Sequence, residues 1–228
     1  MLYGKGRSNA IRSSMLTKDD NWIEDSDILS IFPTFVWKIQ STPEFYEKVN
    51  TKILKALNRM NPDLVNISLG DSWQSNQQLH KREEFIDLVP RILTTAKTVL
   101  RFLKVSYDAV EITGCWANIN SIGASHTIHS HPNNFLSGVY YVQTQAGADT
   151  INFHDPRLQT GIIRPPITEL TAQNTDQVVV NVSKGTLLMF PAYLWHSVSR
   201  NESDKLRIDI SFNLMFSLFA ENLSKPLW

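Results

Sequence analysis

Beyond Val105 the chain alternates apolar and polar residues in short runs rich in β-branched and aromatic side chains: AVEITGCWANIN, NNFLSGVYYVQT, TINFHD, QVVVNVS, GTLLMFP, HSVSR and LRIDISFNLMF. Period-two alternation over such lengths predicts strands with one buried face. Turn residues separate them: Pro132-Asn133-Asn134, Ala146-Gly147-Ala148-Asp149, Pro165-Pro166 and Lys184-Gly185. The pattern before Val105 is helical. PEFYEKVNTKILKALNRM places Phe45, Val49, Ile53, Leu54 and Leu57 at helical spacing, and Thr42-Pro43-Glu44 supplies an N-cap, a proline and an acidic first turn. A second helical pattern runs from about Arg82 to Leu103, with Pro90 marking a kink or a late start. ILSIFPTFVWKIQ reads as a first strand with Pro33 at an edge or bulge, and NPDLVNISLGDSWQSN as a loop. Two helices followed by seven or eight short strands predict a mainly β fold, a sandwich or jelly roll with helices packed on one face. A parallel α/β sheet would need helical patterns between the strands. The expected organisation is a polar extension over 1–27 and a single domain over 28–228, its helical part at about 43–104 and its β core at about 109–216.

Composition bounds the function. A chain of 228 residues with 42% hydrophobic residues can bury a full core. Its 22 basic and 22 acidic residues balance, so no net field draws it to nucleic acid or to an anionic membrane. No apolar run approaches a membrane span and the N-terminus lacks the apolar stretch of a secretory signal, so a cytoplasmic location is expected, or the host cytoplasm for a phage-encoded protein. The single cysteine, Cys115, excludes an internal disulfide framework and a thiolate zinc cluster, and its apolar strand pattern reads as a buried structural thiol.

The candidate chemistry lies with the histidines, five of six falling between 126 and 196. One imidazole alone is more often a satisfied polar group than a ligand. The H-x-H spacing of His129 and His131 changes that reading, because residues i and i+2 of a strand point the same way. His196, at the end of an apolar run in LLMFPAYLWHSV, would complete a three-point face with the other coordination positions open. Such a face suits non-haem Fe(II), which binds a co-substrate and oxygen together. Arg207, on the next run, could hold an acid bound to that metal. His126 is out of phase with His129, and Asp155 in FHDPR is a reserve carboxylate. Trp116, Asn118 and Asn120 share one strand face, as a pocket wall or as a hydrogen-bonded row. Arg157 could bind an anionic substrate group, although an ion pair with Asp155 is favoured. Phe190, Tyr193 and Trp195 read as core packing.

Over about residues 111–216, HSHP, SGVYYV, FHDPR, KGTLLMFPAYLWHSV and RIDISFN resemble the Fe(II)/2-oxoglutarate-dependent oxygenase superfamily, in particular a bacterial and phage branch with an HxHP motif. The resemblance implies a cupin-like double-stranded β-helix, Fe(II) and 2-oxoglutarate as cofactors, and oxidative decarboxylation to succinate coupled to hydroxylation. It makes His129 the first metal ligand, His196 the distal one and Arg207 the anchor of the far carboxylate. Tyr141, in phase with Ser137 and Val139, would place a hydroxyl on 2-oxoglutarate. Asn118 and Ser137 join it as candidate co-substrate contacts, with Trp116, Asn120 and Arg157 toward the prime substrate. Two positions depart from the family pattern. His131 stands where most members have Asp or Glu, giving the iron one more unit of positive charge. Asp209 stands where a serine is frequent, and would repel a dicarboxylate unless it pairs with Arg207 or points elsewhere.

Two further readings stay open: a three-histidine dioxygenase that does not use 2-oxoglutarate, and a non-catalytic jelly-roll binding module. The expected partners are a small-molecule or peptide substrate and, by default, a second copy in a homodimer. No nucleic acid or membrane partner is expected.

Overall fold

The computed structural model describes residues 10–11, 27–157 and 162–217. The chain divides into two compact units, 1–35 and 36–228. In the first, β1 (Ala10–Ile11) pairs antiparallel with β2 (Ile28–Leu29). Apart from Ala10, Ile11 and Asp27, the polar extension expected over 1–27 lies outside the described residues. The elements of the second unit are β3 (Trp37–Gln40), α1 (Pro43–Met60), β4 (Ser72–Gln74), α2 (Val89–Phe102), β5 (Val110–Asn120), β6 (His126–His129), β7 (Leu136–Gln143), β8 (Thr150–His154), β9 (Gln177–Asn181), β10 (Thr186–Pro191), β11 (His196–Val198) and β12 (Arg207–Phe216).

Both helices start as their sequences direct. Thr42 Oγ1 accepts the Phe45 N–H at 3.4 Å, Pro43 takes a position where no N–H is needed, and Val49, Ile53, Ala56 and Leu57 make the buried stripe of α1. The second helical pattern resolves into a short 3₁₀ turn, Glu83–Phe85, before α2 begins at Val89 with Pro90 in its first turn. Pro90 thus marks a late start rather than a kink.

The strands form two antiparallel sheets, one in the order β3-β10-β7-β12-β5-β4 and one in the order β6-β11-β8-β9. Period-two alternation gives the larger sheet two faces of different chemistry. Cys115, Ala117 and Ile119 of β5, Tyr140 and Val142 of β7, and Ile208, Ile210 and Phe212 of β12 pack with the buried stripes of α1 and α2. The intervening residues face the smaller sheet, where Val139, Tyr141, Leu188 and Phe190 meet Ile151, Phe153, Val182 and Leu194. The order helices, large sheet, small sheet is the jelly-roll, or double-stranded β-helix, arrangement with helices on one face. Asn50 of α1 ties the helical layer to the large sheet, its amide donating to the Val142 carbonyl and accepting from the Tyr140 hydroxyl, both at 2.8 Å. Gly138 sits at the centre of β7 because the strands leave it no side-chain space: a Cβ there would lie 2.4 Å from the Leu188 carbonyl oxygen and 2.4 Å from the Phe212 ring.

Three expectations need correction. ILSIFPTFVWKIQ is not one strand: β2 and β3 are separate, and between them Phe32 takes a left-handed φ of 55° and Pro33 lacks an N–H for a ladder. The stretch read as a loop contains β4, which pairs Ser72, Trp73 and Gln74 with Asn120, Ile119 and Asn118 at the edge of the large sheet. Of the three aromatics read as core, Phe190 is buried, whereas Tyr193 and Trp195 are 57% and 47% exposed.

Candidate active site

The sheets bring the three histidines together. His129 is the last residue of β6, His196 the first of β11, and the two are partners across the ladder. His131 lies two residues past the end of β6, where its backbone N–H donates to the Ala192 carbonyl at 2.9 Å. Pro132 follows, and then Asn133 in the left-handed region at φ 62°, a conformation asparagine tolerates in turns. The His129 ring lies 5.1 Å from that of His131 and 4.3 Å from that of His196, centroid to centroid, and the last two are 5.1 Å apart. One potential ligand atom from each lies within 4.8 Å of the others. His129 Nδ1 donates to the Thr127 carbonyl at 2.8 Å and His196 Nδ1 to the Leu194 carbonyl at 2.9 Å. A carbonyl can only accept, so these nitrogens carry the protons and each Nε2 keeps a free lone pair. Burial pushes the His196 pKa down to about 3. Burial, and then the nearby His129, push that of His131 down to about 4. Both are neutral near pH 7, the form that binds metal.

The three imidazoles open on a cavity walled by Trp116, Val139, Tyr141, Arg207 and Asp209 among others. Arg207 is 2% exposed. Its Nη1 donates to the Thr150 carbonyl at 2.9 Å and its Nη2 to the Tyr141 hydroxyl at 3.5 Å, with the guanidinium 5.3 Å over the Tyr141 ring centroid. Its Nε, although buried, has no hydrogen-bond partner among the described residues. The nearest carboxylate oxygen, Asp209 Oδ2, is 3.7 Å away. Burial raises the pKa of the Tyr141 phenol, so it stays a neutral hydroxyl.

Asn118 is saturated by its neighbours. Its Nδ2 donates to Asp209 Oδ1 at 2.7 Å and to Ser211 Oγ at 2.9 Å, while its Oδ1 accepts from Gln74 Nε2 at 2.8 Å and from Trp116 Nε1 at 3.1 Å. It therefore braces the pocket wall with no hydrogen-bonding capacity left over. Ser137 Oγ donates to Asn213 Oδ1 at 2.7 Å and does not line the cavity. Asn120 Oδ1 accepts from His126 Nε2 at 2.8 Å, and His126 is itself a lining residue. Trp116 packs edge-on against His131 at 5.8 Å. Asp155, the reserve carboxylate, lies outside the histidine cluster and forms a bidentate pair with Arg157, the reading favoured for Arg157. Gln74, Ile151, Val198 and Ser211 also line the cavity and were not singled out from the sequence; for Gln74, nothing in DSWQSN distinguishes a three-residue edge strand from a loop.

The donor set fits a divalent iron: three imidazoles, two with their orientation fixed by carbonyls, leave coordination positions for other ligands. A buried guanidinium with an unused N–H in the same cavity fits a carboxylate.

No curated protein matches the chain. Among solved structures, it is similar to the non-heme α-ketoglutarate-dependent epimerase SnoN from nogalamycin biosynthesis, at 12% identity and a TM-score of 0.56 over 81% of this chain and 79% of that one. It is similar at 12% identity and a TM-score of 0.54 to HygX from Streptomyces hygroscopicus with nickel and 2-oxoglutarate bound, covering 81% of this chain and 83% of that one. A Pseudomonas putida prolyl-4-hydroxylase is similar at 12% identity and a TM-score of 0.54, covering 80% and 93%. At these identities the likeness establishes the double-stranded β-helix. The model of the family described as "Putative 2OG-Fe(II) oxygenase" matches residues 114–213, a span that holds all three histidines, Tyr141 and Arg207. Over this β core, the chain is similar to the 2OG-Fe(II) oxygenases.

Proposed function

We propose that His129, His131 and His196 hold the Fe(II), that Arg207 and Tyr141 receive the distal carboxylate of 2-oxoglutarate, and that the reaction is a hydroxylation of a small molecule or peptide. The carrying observation is one cavity that joins three convergent imidazoles to a buried arginine whose Nε has no hydrogen-bond partner among the described residues. When bound, the iron and 2-oxoglutarate activate oxygen, with decarboxylation of the 2-oxo acid to succinate.

The chain supplies orientation and a dry site. The carbonyls of Thr127 and Leu194 fix the tautomer and tilt of His129 and His196, so that the lone pairs point at one place before any ion arrives. The Thr150 carbonyl and the Tyr141 ring hold the guanidinium of Arg207 with its Nε free for a carboxylate oxygen. The phenol of Tyr141 remains a donor. Phe153 and Phe190 pack against His196, at 6.3 Å and 4.8 Å between ring centroids, and keep that side of the metal site apolar. The likeness to a prolyl-4-hydroxylase, an α-ketoglutarate-dependent epimerase and HygX supports a small-molecule or peptide substrate.

The test is an anaerobic Fe(II) titration with and without 2-oxoglutarate, read in the visible region. A weak charge-transfer band that needs both components, and that weakens in Arg207→Ala, is the expected result. Iron binding without such a band would overturn the role of 2-oxoglutarate in favour of a three-histidine dioxygenase.

A further inference from the structure

Asp209 is a buried carboxylate, 3% exposed, in the wall of the co-substrate cavity. It stands on β12 two residues from Arg207, on the same face. Its neighbours are donors: the amide of Asn118 to Oδ1 at 2.7 Å, the hydroxyl of Ser211 to Oδ1 at 3.4 Å, and the guanidinium Nε facing Oδ2 at 3.7 Å. The last distance is an ion pair without a hydrogen bond, so Nε and Oδ2 are close in charge but unclosed in geometry.

We infer that Asp209 is a specificity-determining residue: it is the counter-charge that makes the loaded site neutral and limits how strongly the pocket favours a dicarboxylate. This rests on the proposed three-histidine iron and Arg207 anchor. Three neutral imidazoles bring no negative charge, so the ion keeps two positive charges. Arg207 adds one and Asp209 removes one, leaving two, which the two carboxylates of 2-oxoglutarate cancel. An uncancelled charge in a buried site is costly. Before the co-substrate arrives, the same aspartate gives the buried guanidinium its counter-ion. Once it arrives, Asp209 opposes the distal carboxylate across Arg207, and the attraction that would make the site strongly selective for a dianion is reduced.

The test compares two 2-oxo acids with the same metal-binding end: 2-oxoglutarate and the monocarboxylate 2-oxobutyrate. Each is titrated into anaerobic Fe(II)-loaded protein, wild type and Asp209→Asn, followed by calorimetry and by visible absorption. Asparagine keeps an oxygen for Asn118 and replaces the oxygen that faces Arg207 Nε by a neutral amide NH2. The ratio of affinities, 2-oxoglutarate over 2-oxobutyrate, is expected to rise at least about tenfold in the variant, as expected for a lost charge a few ångströms from the carboxylate. Its metal-free form is expected to melt below the wild type. A ratio that stays within about twofold or falls would overturn the inference and leave Asp209 a brace for Asn118. Should Asp209→Asn fail to fold, the double variant Asp209→Asn/Arg207→Gln is expected to recover melting toward wild type, because neither charge is then left alone. A double variant no more stable than the single one overturns the counter-charge. Absence of an absorption band with either acid in the wild type would instead defeat the 2-oxoglutarate reading, and the melting cycle would still decide the pairing of Asp209 with Arg207.

Discussion

Acid should destabilise the metal-free protein through His196 in a way that can be worked out from its burial. The ring is 3% exposed and its pKa is held at about 3, against an ordinary 6.5. Below pH 6.5 the unfolded chain takes up a proton at this position and the folded chain does not, so the unfolded state binds more protons and stability falls with pH. Above 6.5 both states are neutral and nothing is lost. Each pH unit inside the window is worth about 1.4 kcal/mol, so at pH 4.5 the cost is about 2.7 kcal/mol, and it levels off near pH 3 at roughly 5 kcal/mol. That is a large part of the stability of a domain this size. The assay is urea unfolding in the presence of a chelator at pH 7.5 and 4.5, for the wild type and His196→Gln. The wild type should lose about 2–3 kcal/mol more than the variant between the two conditions. His131, with its pKa near 4, stays in both proteins and cancels from the comparison. Equal losses would mean that His196 takes up its proton without unfolding, and the reasoning from burial would be wrong.

Other expectations concern single positions. Gly138→Ala forces a methyl group to within 2.4 Å of backbone and ring atoms on two neighbouring strands, and should cost about 3 kcal/mol or more in chemical unfolding. An unchanged midpoint would show that β7 can move aside. Cys115 is 1% exposed and burial pushes its thiol up to about 12, so a thiol reagent at pH 8 should label it only in the unfolded protein. Rapid stoichiometric labelling of the native form would contradict this. Asp155→Ala removes a partly exposed ion pair and should cost below about 1 kcal/mol, with Fe(II) affinity unchanged in equilibrium titration. Weakened iron binding would return Asp155 to the ligand set.

Much of this architecture was legible because period-two alternation is a direct image of a sheet with two different faces. β5, β7 and β12 are long enough to display it: of the residues that it assigns to one face, Trp116, Asn118 and Tyr141 meet Arg207 and Asp209 in one cavity, whereas Asn120 and Ser137 do not line it. β4 was not legible. Its three residues take their strand geometry from pairing with β5, a non-local cause that no local pattern records. The same holds for His131, which converges with His129 although it lies beyond the strand whose alternation suggested it, because Ala192 holds its backbone in place. Asn118 shows a different limit. Its place on the pocket face could be read from phase, but the saturation of its amide depends on Gln74, Asp209 and Ser211, which come from β4 and β12.

The alternating faces of the large sheet also affect how such a protein can change. On β12, Ile208, Ile210 and Phe212 anchor the helical layer while Arg207, Asp209 and Ser211 line the cavity, so stability and chemistry are interleaved in one strand but drawn from opposite parities. A substitution at an odd position alters charge, polarity or room in the pocket without touching the packing against the helices. The even positions can remain as they are while the odd ones explore new co-substrates and new targets. One pleat of backbone is the insulation between the two, and it lets a single scaffold acquire a different chemistry one side chain at a time.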